Sequence, residues 1–222
     1  MKNLGKHAIV IGAGMGGLLA ARALSDFYST VTVLERDAFP AADTWRKGVP
    51  QGRHTHGLLA RGSAVLDEFF PGYNSEVVAE SGGLLGDVAD DLLWIGRNVT
   101  LANGKSDLTG LLASRPVLEG HLRRRLLELP NVRAIENCAV RGLASNSARE
   151  RVTGVRIRAE GRPEETVGAD LVVDATGRGS SSAMWLEELG YRPPVSEKVE
   201  VGIGYTTRTY RRRPTLVENV RA

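Results

Sequence analysis

Residues 8–17 read AIVIGAGMGG, a strand-like apolar run that leads directly into a glycine-rich turn. Within it, Gly12, Gly14 and Gly17 have the G-x-G-x-x-G spacing of a nucleotide-binding βαβ unit. Gly12 would allow the tight turn, Gly14 would let the backbone approach a pyrophosphate, and Gly17 would let the helix pack closely on the strand. The pattern predicts an anion at the N-terminus of the following helix, where unpaired N–H groups and the dipole attract it.

A second strand and a terminal acid complete the predicted unit. Residues 30–34 read TVTVL, which is typical of a strand, and Glu35 follows at its end. It lies about 20 positions after the glycines, as the motif requires. A carboxylate there can accept hydrogen bonds from both ribose hydroxyls of an adenosine, whereas it would repel a 2′-phosphate. The sequence therefore favours FAD or NAD over NADP at this site.

Composition excludes several classes of protein. The chain has 222 residues, of which 42% are hydrophobic, as expected for a globular protein with a substantial core. Its formal net charge is only +3, so we expect no nucleic acid partner. Cys138 is the single cysteine, which excludes an internal disulfide and favours a reducing, cytoplasmic location.

The N-terminal apolar stretch has an alternative interpretation as a signal peptide, because Lys2 and Lys6 precede residues 8–21. That interpretation would make both the glycine spacing and Glu35 coincidences. The stretch is also too short to span a bilayer, so we predict no membrane span.

Hydrophobic periodicity predicts the remaining elements. Helices are expected over residues 58–70, 116–129 and 180–190. Residues 170–177 (DLVVDATG) read as a buried strand of a parallel sheet that runs into a glycine turn. A small antiparallel meander beside the main sheet is suggested by four stretches of strand character, 132–136, 139–145, 152–159 and 164–167.

Two regions are harder to assign. Residues 77–114 are strand-like, with turns at Gly82-Gly83 and at Asn103-Gly104, where we expect a hairpin tip. Residues 199–208 alternate apolar and other side chains, which predicts a strand with one covered face. Its partner strands would come either from the 77–114 region or from a longer protein of which this chain is the N-terminal portion.

With these residues placed, the chain resembles FAD-dependent monooxygenases and hydroxylases of the para-hydroxybenzoate hydroxylase type. Five ordered blocks carry the resemblance, which covers nearly the whole chain: the Gly12–Gly17 turn, Glu35-Arg36, residues 51–57 (QGRHTHG), residues 114–119 (SRPVLE) and residues 170–177. The resemblance implies an α/β fold with a Rossmann-like FAD-binding domain over residues 1–190. That domain combines the βαβ unit and parallel sheet with the meander. Residues 77–113 would contribute to the substrate side, and residues 191–222 would begin an antiparallel-sheet substrate domain that is truncated here.

The resemblance also assigns cofactor contacts beyond Gly12, Gly14, Gly17 and Glu35. An arginine after the second strand would meet the FAD phosphates, and either Arg53 or Arg46 fits. The further FAD contacts implied are Arg36, which closes the second strand with Glu35, Arg115 before the central helix, the backbone of Val140 or Ala139 at the adenine edge, and the turn from Asp174 to Gly177.

The implied function is that of an FAD-dependent oxidoreductase, in which NADH or NADPH serves as a transient reductant and O₂ supplies an oxygen atom to a small aromatic or polyketide-like substrate. The flavin carries such chemistry, so we predict no particular catalytic side chain. A flavin halogenase or an isoprenoid reductase of the same fold, an NAD-dependent dehydrogenase, or a catalytically silent flavin-binding fragment are the alternatives. The Gly-Asp block that binds the ribityl chain in the family does not follow Gly177 here.

His54 and His56 have the i, i+2 spacing at which a strand could present a metal site. No cysteine or carboxylate cluster accompanies them, so no metal is predicted. One of them could instead hydrogen-bond the flavin ring or carry a proton. The simplest interpretation is that both order the loop that leads into the second helix.

Overall fold

A computed structural model describes residues 3–40, 44–46, 48–54 and 56–208. Within these residues the chain divides into two compact units, one formed by residues 3–39 and 122–202 and the other by the described residues of 40–121 and 203–208. The helices are α1 (Met15–Ser25), α2 (Ala60–Phe69), α3 (Tyr73–Ser81), α4 (Arg115–Leu127) and α5 (Ser182–Glu188). The strands are β1 (Gly5–Ile11), β2 (Tyr28–Leu34), β3 (Leu84–Asp87), β4 (Ile95–Gly96), β5 (Val99–Thr100), β6 (Thr109–Leu112), β7 (Val132–Ile135), β8 (Cys138–Ser145), β9 (Val152–Ala159), β10 (Glu165–Gly168) and β11 (Leu171–Asp174).

The first unit is built on a parallel sheet with strand order β11-β1-β2-β7. Ile11 at the end of β1 pairs with Asp174 on one side and with Leu34 on the other, and Leu34 in turn pairs with Ile135. All four strands therefore end at the same edge, and the loops that follow them meet there. In open α/β sheets, ligands bind outside this carboxyl edge.

The sheet explains why β1 is a continuous apolar run. Ala8, Ile9 and Val10 are completely buried, because strands inside a parallel sheet are covered on both faces. On α1, the residues Gly17, Leu18 and Ala21 are buried. Together these elements confirm the predicted α/β, Rossmann-like fold.

An antiparallel meander of β8, β9 and β10 completes the first unit. Its apolar side chains share one core with β1, β2 and α5, in which the buried residues are Ile9, Ile11, Leu34, Cys138, Val155, Ile157 and Trp185. The prediction of a four-stranded meander is corrected in one respect. Val132–Ile135 pairs with β2 in parallel, since it follows the crossover helix α4 and re-enters the main sheet.

The second unit contains α2, α3 and two short antiparallel ladders. β3 pairs with β6, and β4 pairs with β5. The turn between β4 and β5 is Arg97-Asn98, whose φ angles are 49° and 63°. The predicted hairpin tip at Asn103-Gly104 is therefore wrong, and the start of the 77–114 region is helical because α3 continues to Ser81 before Gly82 ends it at φ 69°.

Residues 191–208 contain no helix or strand. Val195, Val199 and Tyr205 are 94%, 85% and 80% exposed. The strand predicted over residues 199–208 does not form because no neighbouring strand within the described ranges pairs with it, and an unpaired strand is not stable in water. Residues 209–222, which the predicted substrate-domain segment includes, lie outside the described residues.

Candidate functional site

Gly12 turns the chain directly after β1, at the carboxyl edge of the parallel sheet. Its φ is +96°, a conformation that favours glycine. A Cβ atom at Gly12 would lie 3.0 Å from the carbonyl oxygen of Ala175. Its N–H donates to the carbonyl of Leu34 at 2.8 Å. The turn thus packs between the ends of β2 and β11, and a larger residue at Gly12 would crowd the backbone of Ala175.

Gly14 and Gly17 differ in what the fold itself requires of them. A Cβ atom at Gly17 would lie 1.8 Å from the Gly12 carbonyl oxygen, so only glycine fits there. Gly14 has φ −75° and ψ 176°, an extended conformation that any residue adopts. Its backbone angles therefore do not explain the glycine, which fits the close approach of a ligand.

The N-terminus of α1 begins at this turn without a side-chain cap. Gly14 is the N-cap residue, and there is no acidic residue in the first turn. The first N–H groups of a helix have no partner inside the helix, and its dipole places partial positive charge there. The geometry is that of an anion-binding helix terminus.

Glu35 links the glycine turn to the end of β2. Its Oε2 accepts a hydrogen bond from the backbone N–H of Ala13 at 2.9 Å, and its Oε1 accepts one from Asp37 at 3.0 Å. The residue is only 7% exposed. A carboxylate oxygen can accept more than one hydrogen bond, so these contacts fix the carboxylate without excluding a ribose. By contrast, the side chain of Arg36 is 74% exposed and lies 3.5 Å from Asp37.

Asp174 organises the loop after β11. Its carboxylate accepts hydrogen bonds from the backbone and hydroxyl of Thr176, from Ser180 at 2.7 Å and from Ser182. Burial raises the pKa of Asp174, but the hydrogen bonds from Ser182, Thr176 and Ser180 outweigh burial and hold the pKa below its usual value. The sequence reasoning missed both serines, although the short, polar residues 180–182 were a signal for capping the next helix. Gly177 has φ +65°, and a Cβ atom there would meet nothing within 4 Å.

The meander starts beside the acid that ends β2. The N–H of Cys138 donates to the carbonyl of Glu35 at 2.9 Å, which brings β8 to the carboxyl edge. Val140 pairs with Ile157 of β9, next to an irregularity in the ladder between Val140 and Gly142. Its contact with an adenine stays a prediction.

The remaining predicted contacts belong to the second unit. Glu119, which is 4% exposed, binds two of the three candidate arginines of this unit. Its Oε1 accepts from Nε of Arg46 at 2.7 Å, and its Oε2 accepts from Nε of Arg115 at 3.1 Å. The guanidinium of Arg53 instead stacks on the Trp45 ring at 3.7 Å, a cation–π contact. The cofactor roles of Arg53 and Arg115 stay predictions.

The two loop histidines make contacts that order their surroundings. His54 Nδ1 and Thr207 Oγ1 are hydrogen-bonded at 2.8 Å, and His56 Nδ1 lies 3.0 Å from the His54 carbonyl oxygen. Within the described ranges, no group of three or more His, Cys, Asp or Glu residues could hold a metal ion. No helix in the same ranges has the length and apolarity that crossing a membrane needs.

The sequence is similar to those of known proteins. A family described as NAD(P)-binding Rossmann-like domain matches residues 10–67. Protein Rv3254 of Mycobacterium tuberculosis is 42% identical over 213 residues, which make up 92% of this chain and 45% of that protein. The chain therefore spans less than half the length of this curated relative.

Solved structures share the fold at low sequence identity. The p-nitrophenol 4-monooxygenase PnpA of Pseudomonas putida superposes with a TM-score of 0.61 at 19% identity, over 84% of this chain and 44% of that one. PqsL of Pseudomonas aeruginosa, a probable FAD-dependent monooxygenase, superposes with a TM-score of 0.61 at 17% identity, over 93% of this chain and 48% of that one. The myxobacterial chondrochloren halogenase CndH, an FAD-dependent halogenase, superposes with a TM-score of 0.54 at 20% identity, over 80% of this chain and 38% of that one.

Proposed function

We propose that the first unit binds the adenosine diphosphate part of FAD and that the protein is an FAD-dependent oxidoreductase. The observation that carries this proposal is Gly14, whose backbone angles are open to any residue but which caps a bare helix terminus. A side chain at that position would occupy the space of a bound pyrophosphate. Fold likeness to flavin monooxygenases and a halogenase supports the choice of FAD over NAD.

The residues present fit this cofactor. The N–H groups at the start of α1 would hold the pyrophosphate, and the fixed carboxylate of Glu35 would accept hydrogen bonds from the ribose. A 2′-phosphate on that ribose would meet the buried negative charge of Glu35, which disfavours NADP. The loop from Asp174 to Gly177 begins at the edge of the sheet where Gly12 follows β1.

For the whole protein, we propose a monooxygenase that uses NAD(P)H and O₂ on a small organic substrate. The flavin, when bound, supplies the redox chemistry, and the protein supplies binding, orientation and exclusion of water. We assign no catalytic side chain. From the family resemblance we also propose FAD contacts for four further residues: Arg36, Arg53, Arg115 and Val140.

Titration of the purified chain with FAD tests the proposal directly. We expect quenching of flavin fluorescence and a saturable binding curve, with FAD displaced by ADP but not by 2′-phosphorylated adenosine nucleotides. A chain that ignores FAD but binds NADH would instead favour a dehydrogenase. In the full-length protein, NAD(P)H oxidation that consumes O₂ and hydroxylates a substrate would separate a monooxygenase from a halogenase, which also requires halide.

A further inference from the structure

The parallel sheet also has a cavity at its amino edge, where β2 begins at Tyr28 and β7 begins at Val132. The cavity has a volume of about 240 Å³ and is lined by Ser29, Thr30, Pro130, Asn131, Val132 and Arg133. All of these residues belong to the first unit. The seven residues of β2 separate this edge from the glycine turn by about 20 Å. The cavity is therefore distinct from the flavin site proposed above.

Among the described residues that line this cavity, Arg133 alone is charged. Its Nε donates a hydrogen bond to Oγ1 of Thr32 at 2.9 Å. Thr32 is only 1% exposed, whereas Arg133 is exposed. The buried partner therefore fixes the guanidinium at its Nε, and the two Nη groups stay accessible to a ligand.

Thr32 is held by a second hydrogen bond, to a histidine of β1. His7 Nδ1 lies 2.8 Å from the Gly168 carbonyl oxygen, and His7 Nε2 lies 2.8 Å from Thr32 Oγ1. A carbonyl oxygen only accepts, so Nδ1 donates to it and Nε2 of the neutral ring accepts from the Thr32 hydroxyl. The same hydroxyl oxygen accepts from Arg133. This chain of hydrogen bonds connects β10, β1, β2 and β7, and it orients the guanidinium.

The charge of Arg133 is not neutralised by its neighbours in the described ranges. The residues that line the cavity include no carboxylate. Of the acids that precede the two strands in sequence, Asp26 pairs with Arg22 at 2.9 Å and Glu128 pairs with Arg125 at 3.6 Å. Within the part of the chain that the structure describes, Arg133 forms no ion pair of its own. Its positive charge is therefore available to a ligand.

Asn131 reduces a further source of repulsion at this edge. The helix α1 ends at Ser25, and a helix C-terminus carries partial negative charge that disfavours an anion. The Asn131 amide donates to the carbonyl oxygens of Ser25 and Tyr28 at 2.8 and 3.0 Å. These hydrogen bonds cap the two carbonyl groups and offset part of their negative charge.

We propose that this cavity binds a small organic carboxylate, with Arg133 as the residue that binds the anion and Thr32 as a positioning residue. The two Nη donors of a guanidinium match the two oxygens of a carboxylate. The hydroxyl groups of Ser29 and Thr30 belong to the same lining and supply further donors. Two other lining residues, a proline and a valine, are apolar, so they favour a carboxylate with a short apolar chain over inorganic phosphate. The site requires no flavin and does not rest on the proposed function.

NMR spectra of the ¹⁵N-labelled full chain, titrated with butyrate at constant ionic strength, test the site. We expect saturable shifts in the backbone signals of residues 29–30 and 131–133, and none at residues 12–17. Arg133→Gln should raise the dissociation constant for butyrate by about tenfold, the loss of one charge-assisted interaction. Arg158→Gln is the matched control, because it removes the same charge from an exposed position of β9 outside the cavity, and it should leave the affinity unchanged. Inorganic phosphate should bind more weakly than butyrate.

Substitutions of Thr32 test its role as a positioning residue. Thr32→Val removes the hydroxyl and should raise the butyrate dissociation constant, by up to the same factor as R133Q. Thr32→Ser keeps the hydroxyl and should retain the affinity of the unmodified chain. Because Thr32 acts through Arg133, T32V/R133Q should bind no more weakly than R133Q alone.

The outcomes separate the parts of the proposal. Unchanged butyrate affinity in R133Q, no butyrate binding by the unmodified chain, or shifts confined to residues 12–17 would overturn the site. Phosphate binding as tight as that of butyrate would overturn the choice of an organic carboxylate. Weakened binding by T32S, or additive losses in the double variant, would overturn the role of Thr32.

Discussion

The carbonyl oxygen of Gly12 occupies the space that a side chain at Gly17 would need, since a Cβ atom there would lie 1.8 Å away. The motif glycines are therefore not equivalent. Gly12 and Gly17 are demanded by the packing of the turn, whereas Gly14 is not demanded by its own backbone angles. This difference allows folding and ligand binding to be tested separately.

Gly17→Ala should destabilise the fold by about 1–3 kcal/mol or more, because the new methyl group overpacks the turn. Gly16→Ala is the matched control, since a Cβ atom there would meet nothing within 4 Å. We expect it to stabilise α1 by about 0.5–1 kcal/mol. Denaturant unfolding of both variants, followed by circular dichroism, measures the difference. Equal stability of the two variants would contradict the observed packing.

Gly14→Val should abolish FAD binding and lower the unfolding free energy by only about 1 kcal/mol, because valine is a poorer N-cap residue than glycine. The extended backbone of Gly14 accepts a side chain, but that side chain would enter the space of the pyrophosphate. Fluorescence titration with FAD and thermal unfolding without ligand give the two readouts. FAD affinity equal to that of the unmodified chain would refute this placement of the cofactor.

Asp174→Asn should destabilise the fold at neutral pH but not in acid. The pKa of Asp174 is lowered in the folded chain, so its ionised form stabilises the fold above about pH 4, and this contribution is lost as the pH falls further. The gap in unfolding temperature between D174N and the unmodified chain should narrow from pH 7 to pH 3. Glu188→Gln, at an exposed position of α5, serves as control. A gap independent of pH would argue against the hydrogen-bonded carboxylate.

Tyr73→Phe should cost about 0.5–1.5 kcal/mol, the net value of one hydrogen bond. The Tyr73 hydroxyl donates to the carbonyl of Leu118 at 2.7 Å, and its side chain is fully buried. Burial also raises its pKa above the usual value for tyrosine, so it should stay protonated when exposed tyrosines ionise. In an ultraviolet titration, Y73F and the unmodified chain should therefore show the same tyrosinate absorbance near pH 10. A smaller absorbance for Y73F would contradict the raised pKa of Tyr73.

Local patterns in the sequence predicted the elements of the first unit well. Residues close together in the sequence were enough to predict three features: the glycine turn, Glu35 and the strand that ends at Asp174. Val132–Ile135 was assigned to the wrong sheet, because strand character does not reveal which neighbour a strand pairs with. That choice depends on the crossover helix α4, whose effect is non-local.

The second unit was predicted less well for a related reason. An Asn-Gly dipeptide such as Asn103-Gly104 favours a hairpin. Here, however, the side chain of Asp87 accepts hydrogen bonds from Ser106 and Asp107, which fix the path of the loop. The Arg115–Glu119 pair was visible as an i, i+4 spacing. The contact of Arg46 with the same carboxylate spans 73 positions, and no local pattern predicts it.

The strand order of the parallel sheet also bears on how the chain is synthesised. β1 and β2 leave the ribosome early, but β1 acquires its outer neighbour only when residues 171–174 have been made. Until then one backbone edge of an apolar strand stays open to other nascent chains, a known route to aggregation. The yield of folded protein should therefore depend on how fast residues 35–174 are translated, and on whether a chaperone binds the nascent chain during that interval.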